Sequence, residues 1–322
     1  MDPQTRRLDL VAGILDGAQM PRPEVARRLA LARDADYWRR VVPGLSLDAL
    51  KIRGAPGAPG TFDASRVRET DEVETDRAIA QFREDGYFQT LPLLADQDVA
   101  DLNRAVDGVA AEGWPPVFAW VFDAYWHCAR LPQLARVLES QLGAGYRQIP
   151  HIWTHVVPAV EGSGGWPPHF DGFGGGRASI WVALTDATLE NGCIHLVPPR
   201  LLPPAFRQAK VDGTLSTIDV VQALRSVRAL PARAGSALGW GFDVYHWGGS
   251  CVRSSNARRA ISLEFVAASQ TPASDETPLI SPTGPLPDFA ARLQLIARAI
   301  LAYEKFEPGL VRLRPVAEAL HG

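Results

Sequence analysis

Apolar residues change their spacing along this chain near residue 146. Before that point they recur at helical intervals, and after it they come in short runs divided by Gly, Pro and Asn clusters. Residues 5–42 read as two short helices, one with Val11, Ile14 and Leu15 on a stripe, the other with Val25, Leu29 and Ala32. The stretch RGAPGAPG (53–60) can continue neither a helix nor a strand interior and reads as a linker. The spacing then predicts a helix from about Glu72 to Asp85, with Ile79 and Phe82 inward and Gly86 as its stop. YFQTL (87–91) reads as a short strand. Asp96 is the expected N-cap of a helix carrying Val99, Leu102, Val106 and Val109, which ends before Gly113. Another helix is expected over 131–142, closed by Gly143.

Strand-like runs follow at 147–158, 178–185, 192–198, 227–231, 236–245 and 259–268. Such a series predicts a double-layered barrel or jelly roll over about 146–268. From Pro287 to Phe306 the pattern returns to helix, with Phe289, Leu293, Ile296 and Ile300 on one face. No internal repeat is visible. The expected fold is mainly β with helical flanks around a jelly-roll core. The expected division is an N-terminal helical extension and linker (1–70), a main domain (71–306) and a C-terminal tail (307–322).

Composition narrows the function classes. The chain has 322 residues, 46% of them hydrophobic, enough for a well-buried core. Its net charge is −3 and the charges are scattered, so there is no basic stripe for nucleic acid or an anionic membrane. No apolar run approaches the roughly 20 residues of a membrane span. The N-terminus MDPQTRRLDLVAGILDG lacks the apolar run and cleavage site of a signal peptide. The cysteines Cys128, Cys193 and Cys251 are odd in number and far apart, which argues against a disulfide framework or a thiolate zinc site. A cytoplasmic protein acting on a small molecule is expected, with residues 1–50 capping the barrel or forming a homodimer contact.

Among seven histidines, one pair stands in a pattern with chemical consequences. In PPHFDGFGGG, His169 and Asp171 are two apart, so on an extended strand they point to the same side. An imidazole and a carboxylate so placed can take adjacent positions on a metal. His246, at the end of SALGWGFDVYHWGG, can supply the third ligand. Two histidines and one carboxylate on one face leave positions open, the arrangement of non-haem iron(II) oxygenases. NARRAISLEF then brings two arginines onto the next strand. The planar fork of a buried arginine suits a carboxylate, as a metal-chelating diacid would need.

Several pieces of the chain, in order, resemble the phytanoyl-CoA dioxygenase family of iron(II), 2-oxoglutarate-dependent oxygenases. AIAQFREDGYFQTLPLLADQDVADL resembles the family's opening helix, strand and helix. His169–Phe170–Asp171 matches its HxD motif, and WVALTDATLENGCIHLVPPR its strand, Asn-Gly turn, strand and Pro segment. His246 matches the distal histidine, and RRAISLEF the arginine strand. The resemblance spans roughly 75–268. It implies a double-stranded β-helix core, Fe(II), 2-oxoglutarate and O2, with His169, Asp171 and His246 as metal ligands. Trp181 matches a family tryptophan near the co-substrate, and Arg258 the arginine that binds its distal carboxylate.

Two departures bear on these assignments. The loop 247–257 is long, so the register could place Arg259 rather than Arg258 at the co-substrate. Arg259 shares a face with Ile261, Leu263 and Phe265; Arg258 shares one with Ala260, Ser262 and Glu264. Two after the distal histidine, where the family sometimes has a hydroxyl residue, stands Gly248. A carboxylate at Asp171, where a halogenase of this type has Gly or Ala, makes C–H hydroxylation the default expectation. Desaturation, epimerisation and cyclisation are the alternatives, as is a non-catalytic jelly-roll binding module.

Other residues have competing readings. His151, Trp153 and His155 alternate along one strand; lining the barrel they would touch substrate or co-substrate, with His155 at the co-substrate, and otherwise they fill the core. Trp114, Trp120 and Trp126 either wall a substrate pocket or pack as core. GFGGGR (172–177) lacks the GxxxxGK[ST] of a phosphate loop and reads as a flexible active-site loop. His195 and Asp243 read as ordinary strand or turn residues, His127 and His321 as structural or exposed, and Cys251 as a plain thiol close to the site.

Overall fold

The computed structural model describes residues 20–47, 71–253 and 256–322. The Val11 stripe and the 53–60 linker lie outside the described residues, as does part of the loop before Arg258. Among the described residues eight strands form the β portion: β1 Tyr87–Gln89, β2 Arg147–Val157, β3 Arg177–Ala183, β4 Ile194–Val197, β5 Arg228–Leu230, β6 Ala237–Gly241, β7 Tyr245–Gly248 and β8 Arg258–Val266. They make two antiparallel sheets, in the orders β1-β6-β3-β8-β2 and β5-β4-β7. This is the expected jelly roll, although helix, at about 45% of residues, outweighs strand at about 19%.

Strand parity explains the core. On β3 and β8 one face turns toward the smaller sheet, and Trp181, Ala183 and Ala260 there pack with Ile194, Leu196 and Leu230. The alternate residues Ile180, Val182, Ile261, Leu263 and Phe265 turn outward into a helical layer that includes Phe82, Trp120, Leu134 and Ile296. The outward face of the larger sheet is therefore dry, whereas its inward face is apolar at Trp181, Ala183 and Ala260 and polar at Ser179, Arg258, Ser262 and Glu264.

The run expected as one strand over 236–245 is two strands. The chain turns after Gly241, with the Val244 N–H donating to the Gly241 carbonyl, and passes from the larger sheet to the smaller one. Residues 164–172 add a further extended row beside β7, through bridges Gly164–Ser250 and His169–His246. Asp96 is not an N-cap: the helix Asp96–Ala111 begins on it and Ala95 holds the cap position, with no side-chain cap. The stretch between β4 and β5, unassigned from the sequence, holds the helices Phe206–Val211 and Thr217–Arg225.

Residues 314–321, within the expected tail, form a helix that buries Val316, Ala317 and Leu320 against the helical layer. The same layer takes Trp114, Trp120 and Trp126, all buried, so these three are core. At its centre Arg292, fully buried, pairs with Asp123 at 2.6 Å and donates to the Val121 carbonyl at 2.7 Å. Removing one partner of such a pair strands the other charge without water. Asp123→Ala is expected to lower unfolding free energy by about 3–5 kcal/mol, read from the urea midpoint. A midpoint within error of wild type would show that the pair does not organise this layer.

Candidate active site

His169 and His246 sit opposite each other in a hydrogen-bonded antiparallel pair, each backbone N–H donating to the other's carbonyl at 3.0 Å. Their rings lie 4.3 Å apart. Each ring places Nδ1 against the carbonyl two residues back, Pro167 at 2.7 Å and Val244 at 3.0 Å. A carbonyl only accepts, so Nδ1 carries the proton and Nε2 offers a bare lone pair in the neutral ring. Both Nε2 atoms point at Asp171 Oδ1, at 3.4 and 3.5 Å. The other carboxylate oxygen, Oδ2, is held by the Ser179 hydroxyl at 2.5 Å and the Trp240 indole N–H at 2.9 Å. Three ligand atoms thus converge within 4.8 Å of one another, each oriented by a partner on its far side.

A cation is what makes three facing lone pairs favourable, so the donor set fits a metal. The set also fits iron, with imidazoles and one carboxylate and no thiolate. Burial pushes the Asp171 carboxyl upward, but His246 and the contacts with His169 and Ser179 outweigh it and hold the group well below the usual range. Burial lowers His246, whereas Asp171 overcomes burial at His169 and raises it.

Beside this trio lies an inner chamber of about 50 Å³, also lined by His155, Trp181 and Arg258. Arg258 is 2% exposed, and its Nε and Nη1 have no hydrogen-bond partner among the described residues. Its guanidinium sits 5.9 Å from the Trp181 ring, and burial pushes it down to about 10. Two orphaned donors on a buried cation are costly unless an anion meets them. Arg259 has the opposite surroundings: it reaches the helical layer, pairing with Asp107 at 2.6 Å and Asn103 at 3.3 Å. Gly248 also gains a reason here. A Cβ on it would come within 2.7 Å of the Gly165 Cα and 2.8 Å of Arg258 Nη2, so the close approach of two backbones and the guanidinium leaves no room for a side chain.

The family model for phytanoyl-CoA dioxygenase (PhyH) matches residues 122–260. Residues 122–260 belong to the phytanoyl-CoA dioxygenase family. The match contains all three ligands and Arg258, and the protein is a non-haem iron, 2-oxoglutarate-dependent oxygenase. No curated protein matches the chain. Among solved structures, the non-heme monooxygenase ThoJ in a nickel complex superposes with a TM-score of 0.52 at 19% identity, over 72% of this chain and 99% of that one. HygX from Streptomyces hygroscopicus, with nickel and 2-oxoglutarate bound, gives a TM-score of 0.48 at 11% identity over 64% and 95%. The epimerase SnoN from nogalamycin biosynthesis gives 0.47 at 20% identity over 67% and 97%.

In the dioxygenase domain His155 lines the inner chamber and contacts the Ser262 hydroxyl at 3.1 Å. Burial and the neighbouring Arg258 push it down to about 3, so the ring is neutral. Trp153 instead packs into the core against Tyr303, ring centroids 4.8 Å apart. His151 sits at a bulge of β2 and contacts Glu264, a pairing the sequence reading missed. His195 stacks on Trp247, outside both cavities. Asp243 pairs with Arg207, and His321 ends the last helix. Cys251 is buried, its N–H donating to Ser163. The glycine run leads into β3 and not into a helix, which removes the phosphate-loop reading.

Outside the inner chamber a larger cavity of about 650 Å³ opens, sharing Trp166, His169, Asp171, Glu264 and Tyr303 with it. Trp166 packs on Tyr303 and Phe306 at 5.0 and 5.5 Å, and Phe173 of the glycine run joins the wall. Tyr303 and Phe306 lie beyond the family match. Nothing in their spacing marks them, since an aromatic at or just past a helix end looks like any core aromatic.

Proposed function

We propose that this oxygenase hydroxylates an aliphatic C–H bond of a small organic molecule, while 2-oxoglutarate leaves as succinate and carbon dioxide. The intact carboxylate Asp171 carries the reading, because it occupies a ligand position that would otherwise be open to another anion. His169, Asp171 and His246 would hold the iron. Bound together, iron and 2-oxoglutarate supply the oxidising power for an unactivated C–H bond. Arg258 binds the distal carboxylate of 2-oxoglutarate by its fork, Trp181 packs beside that guanidinium, and His155 presents a neutral ring to the co-substrate. The aromatic wall of Trp166, Tyr303 and Phe306 shields the site from water and faces the substrate, and the outer cavity has the size of a small-molecule pocket.

The test is to incubate iron-loaded protein with 2-oxoglutarate and a panel of small molecules under isotopically heavy dioxygen. The expected product gains one labelled oxygen atom per succinate formed. A product that loses two hydrogens, or keeps its mass with an inverted centre, would replace hydroxylation by desaturation, cyclisation or epimerisation.

A further inference from the structure

Glu264 is a half-buried carboxylate with one oxygen free of protein donors among the described residues. It stands on the inward face of β8 with Arg258, Ala260 and Ser262, and lines both the inner chamber and the outer cavity. Oε2 meets His151 Nδ1 at 2.7 Å. No donor among the described residues reaches Oε1, although the side chain is only 17% exposed. Asp275 of the outer cavity is exposed, and the two remaining carboxylates of these walls are treated differently. Glu276 engages Arg177 through both oxygens, each at 2.8 Å, and Asp171 Oδ2 has two donors. Oε1 therefore faces the cavities as an accessible acceptor, open to a donor on a bound molecule.

The charge state of the pair does not alter what Oε1 can do. His151 Nε2 faces the Asp275 carbonyl at 3.2 Å, so that nitrogen donates. Nδ1 then either donates to an ionised Glu264 or accepts from a protonated one, and in both cases the pair is neutral overall. With the proton held on the His151 side of the carboxyl group, Oε1 is an acceptor throughout. The co-substrate 2-oxoglutarate is an anion without donors and cannot fill the place. Opposite stands an apolar wall, where Tyr303 and Trp166 border both cavities.

We propose that Glu264 is a specificity-determining residue, its Oε1 accepting a hydrogen bond from a hydroxyl or ammonium group of a substrate whose apolar body lies on Trp166, Tyr303 and Phe306. The inference rests on the outer cavity being the substrate site of the oxygenase. His151 is a positioning residue that fixes the carboxylate from behind.

Three matched probes test it: 3-phenylpropan-1-ol, 3-phenylpropylamine and 3-phenylpropyl methyl ether, bound to the full chain with zinc and 2-oxoglutarate and followed by ligand-observed NMR. At least one donor probe is expected to bind about tenfold more tightly than the ether. The alcohol and amine arms tell which donor is used. Glu264→Leu should bring the preference below about twofold with the ether unchanged. Glu264→Gln, which keeps the volume and a weaker acceptor, should fall between and serves if the leucine variant does not fold. Equal binding of all three probes by wild type, no binding of any, or a preference that survives in both variants overturns the proposal. The 2-oxoglutarate signal in the same samples reports on the oxygenase reading separately, since its loss with the donor preference intact would leave Glu264 in its role.

Discussion

Replacing Arg258 with alanine is expected to raise the apparent 2-oxoglutarate constant by roughly two orders of magnitude or more. The guanidinium is buried, and two of its nitrogens have no partner among the described residues. A charge pair formed there, with the cost of an unpaired partner included, is worth about 3–5 kcal/mol, and about 1.4 kcal/mol is tenfold. Arg258→Lys keeps a charge but loses the fork, so it should fall between wild type and alanine. Arg259→Ala is the control: its partners Asp107 and Asn103 lie in the helical layer, and the constant should stay within about twofold. Succinate formation against 2-oxoglutarate concentration reads all three. A large rise in Arg259→Ala without one in Arg258→Ala would reverse the assignment.

His246→Ala should abolish nearly all turnover and most iron affinity, and His169→Ala should do the same. The two imidazoles occupy one bridge between two chain segments and share Asp171 Oδ1 as their common neighbour, so neither can substitute for the other. Iron retained after anaerobic dialysis, compared with wild type, reads the lost binding, and an unchanged urea midpoint of the metal-free proteins shows that the fold is kept. Near-normal iron retention and activity in either variant would sink the trio.

Much of this site was legible because its chemistry sits in short, regular segments. The i, i+2 spacing of His169 and Asp171 on an extended segment put both ligands on one side. Parity alone separated Arg258 from Arg259 onto opposite faces of β8 but could not say which face was the cavity. The larger sheet is buried on both sides, so an apolar neighbour such as Ile261 marked the helical layer and not the chamber. The break between β6 and β7 was hidden because GFDV keeps the apolar pattern through a turn that changes sheets. The pairing of His151 with Glu264 joins residues far apart in sequence across a bulge, and a bulge leaves no mark on alternation. Tyr303 reaches the cavity because its helix ends there, and Phe306 from the turn that follows.

Oxygenase chemistry at this site is tested by conversion of 2-oxoglutarate to succinate in the absence of added substrate, with and without ferrous iron, by wild type and His246→Ala. Slow, iron-dependent succinate formation is expected of wild type and none above background of the variant. Iron-loaded wild type that binds the metal yet forms no succinate, or equal formation by both proteins, would contradict it.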